Sequence, residues 1–328
     1  MKAWLLNSIG DGIAGLKLAD APDPTPAENE VVLEVRYAAI NPADRYLAEG
    51  QYPAKPPLPH ILGRDGFGTI VALGPGVKDV RVGDRRTILR GDTGVSRAGT
   101  LAQRVAVAVH DLVEQPAGWS EQQAASAALV YITAFQALTQ WGELPPSVVL
   151  ITGASGGVGV AATQLAHAMG HTVIGLSRSK EKGERLKQIG ASAIFDPEDA
   201  NWPKALKAHL GNRRVDLAID NIGGELFNQV LDVMGMWGKI SVIGRLAGPV
   251  PQFNTASLFF RRLRIGGVAV GSYQNSETRA AWQNVCELLG KINAKPIIDS
   301  VFPFDQVPQA FERLAKGPMG KVLVEINK

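Results

Sequence analysis

A single cysteine, Cys286, stands in this chain of 328 residues, which excludes internal disulfides and any cysteine-rich metal lobe. A reducing, cytoplasmic setting is the simplest expectation. Its surroundings, AAWQNVCELLG, have helical spacing and predict a small residue on a buried helix face rather than a nucleophile. Long hydrophobic runs are missing too. The opening MKAWLLNSIGDG has only a short apolar run before Asn, Gly and Asp, which fits neither a signal peptide nor a membrane span. The net charge is only +3, and no run of Lys or Arg is long enough for a nucleic-acid arm. The densest basic cluster, RRLR at Arg261–Arg264, reads as a solvated face beside a strand. No nucleic-acid partner and no membrane association are expected. Repeats and low-complexity tracts are also absent.

What is present is ordinary for a soluble globular protein, with 45% hydrophobic and 20% charged residues. The length suits two domains of ~100–200 residues each better than one core. Residues 1–118 are rich in Pro, Gly and short β-type runs such as VVLEVRYAAI, GTIVALG, RRTILR and LAQRVAVAV. The turn signals ALGPGV, RVGDR and RGDTG separate these runs, predicting an irregular antiparallel β domain with short helices. From Ser120 the texture changes. EQQAASAALVYITAFQALTQWG has helical spacing, and PPSVVLITG is a short apolar strand. Strand and helix patterns then alternate through HTVIGLS, ASAIFD, VDLAIDNIG and GKISVIG. That alternation predicts an α/β domain with a doubly wound parallel sheet, to which LRIGGVAVG adds a last strand. The terminal KVLVEI is again β-type and is expected to return to the first domain.

At residues 151–160 the chain reads ITGASGGVGV, in the order strand, glycine turn, helix that a dinucleotide fingerprint requires. Glycines let the backbone approach a pyrophosphate, and the N–H groups opening the helix face that anion with the helix dipole behind them. Two signatures fit. One is G-x-G-x-x-G with Ala154 in first place, then Gly156 and Gly159. The other is the T-G-x-x-x-G-x-G of short-chain dehydrogenases, through Thr152, Gly153, Gly157 and Gly159. That second family works through a Tyr-x-x-x-Lys pair and carries its motif near the N-terminus. Four positions after each tyrosine here stand Asn41, Gly50, Pro56, Phe135 and Glu277, so the pair is missing. The first signature therefore stands, with Ala154, Ser155, Gly156, Gly157 and Val158 as candidate pyrophosphate contacts.

About 20 residues beyond such a turn, NAD sites place an acid on the ribose hydroxyls. Here LSRSKEK puts Ser177 and Arg178 in that place, and Lys180 and Lys182 follow. Guanidinium, hydroxyl and ammonium groups suit a 2′-phosphate, which an acid would repel. The expected cofactor is NADPH, with Ser177, Arg178 and Lys182 on its 2′-phosphate.

Over essentially its full length the chain resembles the zinc-independent quinone oxidoreductase group of the medium-chain dehydrogenase/reductase superfamily. The likeness is carried by NPADRYLAEGQYP (41–53), GRDGFGTIVALGPGV (63–77), GTLAQRVAV (99–107), AASAALVYITAFQAL (124–138), ITGASGGVG (151–159), DLAIDNIGG (216–224) and FPFDQVPQAFERLAKGPMGKVLVEI (302–326). The resemblance implies a GroES-like β domain, residues 1–120 and 268–328, wrapped around a Rossmann domain, residues 121–267, with the cofactor in the cleft. It also implies a homodimer paired through LRIGGVAVG at a sheet edge. Zinc-dependent relatives hold catalytic zinc with Cys where Asn41 stands, His-Glu where Arg64 and Asp65 stand, and a further Cys near Leu129. Asn, Arg and Leu cannot supply a zinc site of N and S ligands. The histidines, His60, His110, His167, His171 and His209, fall in unrelated segments. No metal is expected, and Arg64 and Asp65 are expected to form a structural ion pair in the emptied site.

Without a Lewis acid, alcohol oxidation loses its means of stabilising an alkoxide. What remains is hydride donation from NADPH to a small-molecule acceptor that tolerates negative charge, a quinone or an α,β-unsaturated carbonyl. The resemblance implies Asn41, Asp44, Tyr46 and Tyr52 along the nicotinamide and substrate cleft. Asn41 would bond ribose or the acceptor oxygen, and Tyr46 or Tyr52 would donate to the carbonyl or stack on a ring, aromatic packing being the alternative for both. Thr133 reads as a nicotinamide or phosphate contact, and Asn221, Ile243 and Gly244 as strand-end residues facing the cofactor. Two rival functions remain: an enoyl thioester (acyl-CoA type) reductase, and a non-enzymatic NADPH-binding protein.

Overall fold

The computed structural model describes residues 1–249 and 252–327. They form two compact units: Met1–Leu129 with Gln274–Arg279 and Lys295–Lys328, and Val130–Tyr273 with Ala280–Ala294.

The first unit is built around the strand Glu30–Ala39, whose β-branched residues suit a pleated surface packed on both faces. Asp65–Leu73 pairs antiparallel along one edge of this strand. The other edge is shared: Arg104–Ala108 covers Glu30 to Glu34, and the late strand Lys321–Glu325 covers Tyr37 to Ala39. Arg85–Ile88 and Leu112–Glu114 extend the sheet antiparallel, and Ile298–Pro303 adds a parallel strand beside Lys321–Glu325. The period of two along the strands sends Val31, Leu33 and Val35 into the same core as Val322 and Val324. The opening residues form the strand Lys2–Leu6, which pairs with Leu16–Asp20 and His60–Ile61 and buries Trp4 and Leu6 in that core. This mostly antiparallel β unit is the GroES-like half of the fold.

The second unit holds a six-stranded, all-parallel sheet in the order Ala191–Phe195, Thr172–Leu176, Val148–Ile151, Val215–Asp220, Met234–Val242, Arg264–Gly267. Val148–Ile151 is short, apolar and wholly buried, as a central parallel strand must be. From it the chain steps outward through Thr172–Leu176 to Ala191–Phe195, then returns to the opposite side at Val215–Asp220. The strand order thus reverses beside Val148–Ile151, and at such a switch point the carboxyl ends of neighbouring strands part to leave a crevice. The helices Gly157–Ala168, Lys180–Gln188, Trp202–Leu210 and Leu226–Val233 make the crossovers. This is the Rossmann half.

Two details depart from expectation. Cys286, on the helix Asn275–Lys291, is half-buried rather than buried, because Ala281, Trp282, Val285 and Leu289 already fill the inward face. Burial, then Glu287, still push its thiol up to about 11, so it stays protonated at neutral pH. The strand expected at GKISVIG begins earlier, at Met234, where a register irregularity against Val215 and Leu217 precedes Lys239 and Trp237 adopts a φ of +63°. Among the described residues no helix is long and apolar enough to cross a membrane.

Candidate functional site

The glycine turn follows the central strand at the switch point. Gly153 has a φ of +59°, the left-handed region that glycine enters without a Cβ penalty, and a Cβ there would lie 2.8 Å from Ile222 Cδ1. The sharp turn therefore rests on Gly153, one residue before Ala154, the expected first position. Ala154 is buried and its N–H donates to Leu176 O at 3.2 Å, so it braces the neighbouring strand. At Gly159 a Cβ would come within 2.4 Å of Gly153 O and 2.6 Å of the Ala154 backbone, so this glycine lets the helix Gly157–Ala168 lie against the turn. Gly156 is different: the nearest atom to a Cβ would be Gly153 O at 3.4 Å, which leaves the space ahead of the helix open. The helical ladder begins with Val160 N–H donating to Gly156 O at 2.8 Å, so the N–H groups of Gly157, Val158 and Gly159 stand ahead of it. Ser155 to Val158 are half-buried. Exposed backbone donors at a helix N-terminus form an anion cradle.

A buried polar brace sets the far wall. Thr152 Oγ1 donates to Asp220 Oδ1 at 2.8 Å, and Asn221 donates to Thr152 twice, from its N–H to Oγ1 at 2.9 Å and from Nδ2 to the carbonyl at 2.8 Å. The Asp220 carboxylate also accepts from Gly223 N–H at 3.1 Å. Ile243 N–H donates to Asp220 O at 2.8 Å, and a Cβ on Gly244 would lie 2.8 Å from Asn221 O. Asn221, Ile243 and Gly244 are thus brought together at adjacent strand ends. Thr152 and Asp220 were missed by sequence reasoning, although a Thr-Gly after one apolar strand and an Asp-Asn after another were visible signals. Thr133 lies buried on the helix Glu121–Thr139.

At the end of the neighbouring strand Thr172–Leu176, Ser177 is buried and its N–H donates to Phe195 O at 3.0 Å. Arg178 is exposed, with Nη1 at 3.4 Å from Glu198 Oε1. Ser179 caps the helix Lys180–Gln188 by accepting from Lys182 N–H at 3.3 Å, which fixes Lys182 in the first turn. Pyrophosphate and ribose candidates therefore converge on the carboxyl edge of one sheet.

In the β unit, Asn41 opens the short helix Pro42–Ala48. Its N–H donates to Asp44 Oδ2 at 2.8 Å, and Asp44 N–H donates back to Asn41 O at 3.1 Å. The Asp44 carboxyl is wholly buried, and its Oδ1 has no hydrogen-bond partner. Burial raises its pKa to about 6, outweighing the opposing pull of the Asn41 N–H, Arg64 and Lys321. The Tyr46 hydroxyl, two residues on, is also buried without a partner. Orphaned polar atoms of this kind are rare in folded proteins.

The Asn41 amide is committed elsewhere. Its Nδ2 donates to Asp65 Oδ2 at 2.9 Å and to Ala39 O at 3.3 Å, while Oδ1 accepts from Lys321 Nζ at 2.5 Å. Lys321 also reaches Asp65 Oδ2 at 3.1 Å, and Asp65 Oδ1 accepts from Leu129 N–H at 3.2 Å. The expected Arg64–Asp65 ion pair does not form. Successive side chains entering a strand point to opposite faces. Asp65 turns inward to Lys321, whereas Arg64 Nη1 donates to Tyr52 Oη at 3.1 Å with its guanidinium 5.8 Å from the ring centroid. Lys321 was missed, although a lysine opening the apolar strand KVLVE was a signal that a buried cation needs a partner.

Two family models match separate segments of the chain. Residues 27–117 match the family described as alcohol dehydrogenase GroES-like domain, and residues 157–290 match the family described as zinc-binding dehydrogenase. The quinone oxidoreductase of Lama guanicoe is 32% identical over 336 residues, covering 99% of this chain and 97% of that protein. Among solved structures, an NAD-dependent alcohol dehydrogenase is 28% identical with a TM-score of 0.90, each chain covered in full. Escherichia coli quinone oxidoreductase complexed with NADPH is 25% identical with a TM-score of 0.89, over 99% of this chain and 100% of that one.

Proposed function

The chain belongs to the quinone oxidoreductase group of the medium-chain dehydrogenase/reductase superfamily, and from that premise we propose that it is a metal-free, NADPH-dependent reductase of quinones or α,β-unsaturated carbonyls. The observation that carries the metal-free part of this reading is the buried Lys321 ammonium between Asn41 Oδ1 and Asp65 Oδ2. One matching family is described by zinc, but zinc sites are built from Cys, His and carboxylate ligands with tetrahedral freedom. Here Asn41, Arg64, Asp65 and Leu129 stand in the corresponding places, and the two inward oxygens already bind a cation that belongs to the chain. These residues do not fit the metal.

They do fit a dinucleotide. The open space at Gly156 and the N–H groups of Gly157, Val158 and Gly159 suit a pyrophosphate; Ser177, Arg178 and Lys182 suit a 2′-phosphate; Thr133, Asn221, Ile243 and Gly244 suit the nicotinamide half. Bound there, the cofactor supplies a hydride. The chain supplies orientation and a polarised acceptor oxygen. Arg64 donates to the Tyr52 oxygen, which strengthens that phenol as a donor in turn. The unpartnered Tyr46 hydroxyl is a second donor. Asp44, a carboxyl with its pKa raised by burial, holds a proton at its free oxygen more readily than an exposed one. Asn41, with its amide spent on Asp65 and Lys321, positions this cluster. Reduction of a quinone to a hydroquinone consumes one hydride and one proton, so these groups suffice.

A homodimer is proposed on the sheet edge. Arg264–Gly267 is the last strand of the parallel sheet, Ile265 is exposed on it, and Phe259 and Phe260 are exposed just ahead. A second copy pairing there about a twofold axis covers both the backbone edge and the aromatic surface.

The test is NADPH oxidation across a panel of quinones, enones and a CoA enoyl thioester, with and without a zinc chelator. Turnover of quinone or enone, unaffected by chelator, is expected. NADPH binding without turnover on any acceptor would instead mark a non-enzymatic binding protein, and a thioester outcompeting the small quinone would reassign the substrate.

A further inference from the structure

The strands Thr172–Leu176 and Ala191–Phe195 are neighbours in the parallel sheet, with Leu176 opposite Phe195. The loops that leave their carboxyl ends therefore run side by side, where the adenosine ribose lies in a fold of this type. The first loop carries Ser177 and Arg178. The second, DPEDAN, carries Asp196, Glu198 and Asp199. Two of these carboxylates are folded back on their own loop: Asp196 Oδ1 accepts from Glu198 N–H at 2.9 Å, and Asp199 Oδ1 accepts from Asn201 N–H at 2.9 Å. The Glu198 carboxylate is instead directed across the gap, with Oε1 3.4 Å from Arg178 Nη1. Both side chains are more than two-thirds exposed, at 68% and 69%, so the pair is readily exchanged rather than locked.

We propose that Glu198 is a cofactor-specificity residue that limits the preference for NADPH over NADH by competing with the 2′-phosphate for Arg178. This rests on the NADPH reading above. A 2′-phosphate must take Arg178 from Glu198 and then lie beside the released carboxylate, whereas the 2′-hydroxyl of NADH faces neither demand. The acid that NAD sites carry after the second strand of such a sheet is missing here, and Glu198 restores a carboxylate to the same neighbourhood from the strand beside it. Between exposed groups a few ångströms apart in water, an interaction of this kind is worth on the order of a tenfold effect before salt screening.

The experiment titrates NADPH and NADH into wild type, Glu198→Gln and Arg178→Ala, reading dissociation constants by calorimetry at low and high salt. Both positions are exposed, so the variants are expected to keep the wild-type melting temperature. Glu198→Gln should increase the NADPH preference by ~3–10-fold, with the gain shrinking at high salt, and Arg178→Ala should sharply reduce the preference. A Glu198→Gln ratio that is unchanged, or shifted towards NADH, overturns the proposal. If wild type shows no preference and Arg178→Ala changes nothing, the NADPH reading itself fails and takes this inference with it. If Arg178→Ala behaves as expected while Glu198→Gln does not, only the role of Glu198 is lost.

Discussion

Lys321 and Asp65 form a buried ion pair, with Nζ 3.1 Å from Oδ2 and the two side chains only 5% and 2% exposed. Removing one partner of such a pair leaves an uncompensated charge in a low-dielectric site, at a cost of ~3–5 kcal/mol. Lys321→Met should therefore be destabilised by about that amount in urea unfolding. The double variant Lys321→Met with Asp65→Asn removes both charges and should recover most of the loss. Equal instability of the single and double variants would show that packing, not charge, is what the pair contributes.

The buried Asp44 carboxyl gives the protein a pH signature. Its folded pKa of about 6 lies above the ordinary 3.8, so the folded state binds this proton more tightly than the unfolded chain. The stability it confers is full below the ordinary value and is lost as pH rises through the folded one. Relative to Asp44→Asn, the wild type should lose up to ~3 kcal/mol between about pH 4 and pH 7. Denaturant unfolding of both proteins across that range gives the difference directly. A constant difference would mean that Asp44 is ionised when buried.

Gly156 and Gly159 should separate binding from folding. Alanine at Gly159 places a methyl 2.4 Å from Gly153 O, and overpacking of this kind costs ~1–3 kcal/mol. Gly159→Ala should thus lower both thermal stability and dinucleotide affinity. Gly156→Ala meets only Gly153 O at 3.4 Å, so it should melt as the wild type does and still bind the dinucleotide more weakly. If Gly156→Ala binds normally, the pyrophosphate does not lie over that residue.

The proposed dimer edge is open to a charge test. Lysine on an edge strand blocks strand addition, so Ile265→Lys combined with Phe260→Glu should halve the mass measured by light scattering while leaving circular dichroism unchanged. A wild type that is already monomeric refutes the dimer at once.

How much was written in the sequence differs sharply between elements. Local signals were enough for Val148–Ile151, the helix after it and the alternation beyond, because a wholly buried parallel strand reads as an unbroken apolar run and the glycine turn marks where the next helix opens. The spacing from the glycine turn to Ser177 and Arg178 was legible for the same reason: strand, turn and helix lengths are set locally. Tertiary structure alone decided which residue answers which. Asp65 was expected to pair with the Arg64 beside it, yet strand alternation turned it towards Lys321 near the far end of the chain. Arg178 read as one of a group of 2′-phosphate contacts, and only the parallel pairing of two strands brought the Glu198 loop alongside it. The left-handed turn fell to Gly153 rather than Ala154, and a side chain there would also meet Ile222, from another strand end. In each case sequence determined the type of group and its local geometry. The partner was determined by strand register, which depends on contacts between segments far apart in the chain and leaves no periodic trace within either one.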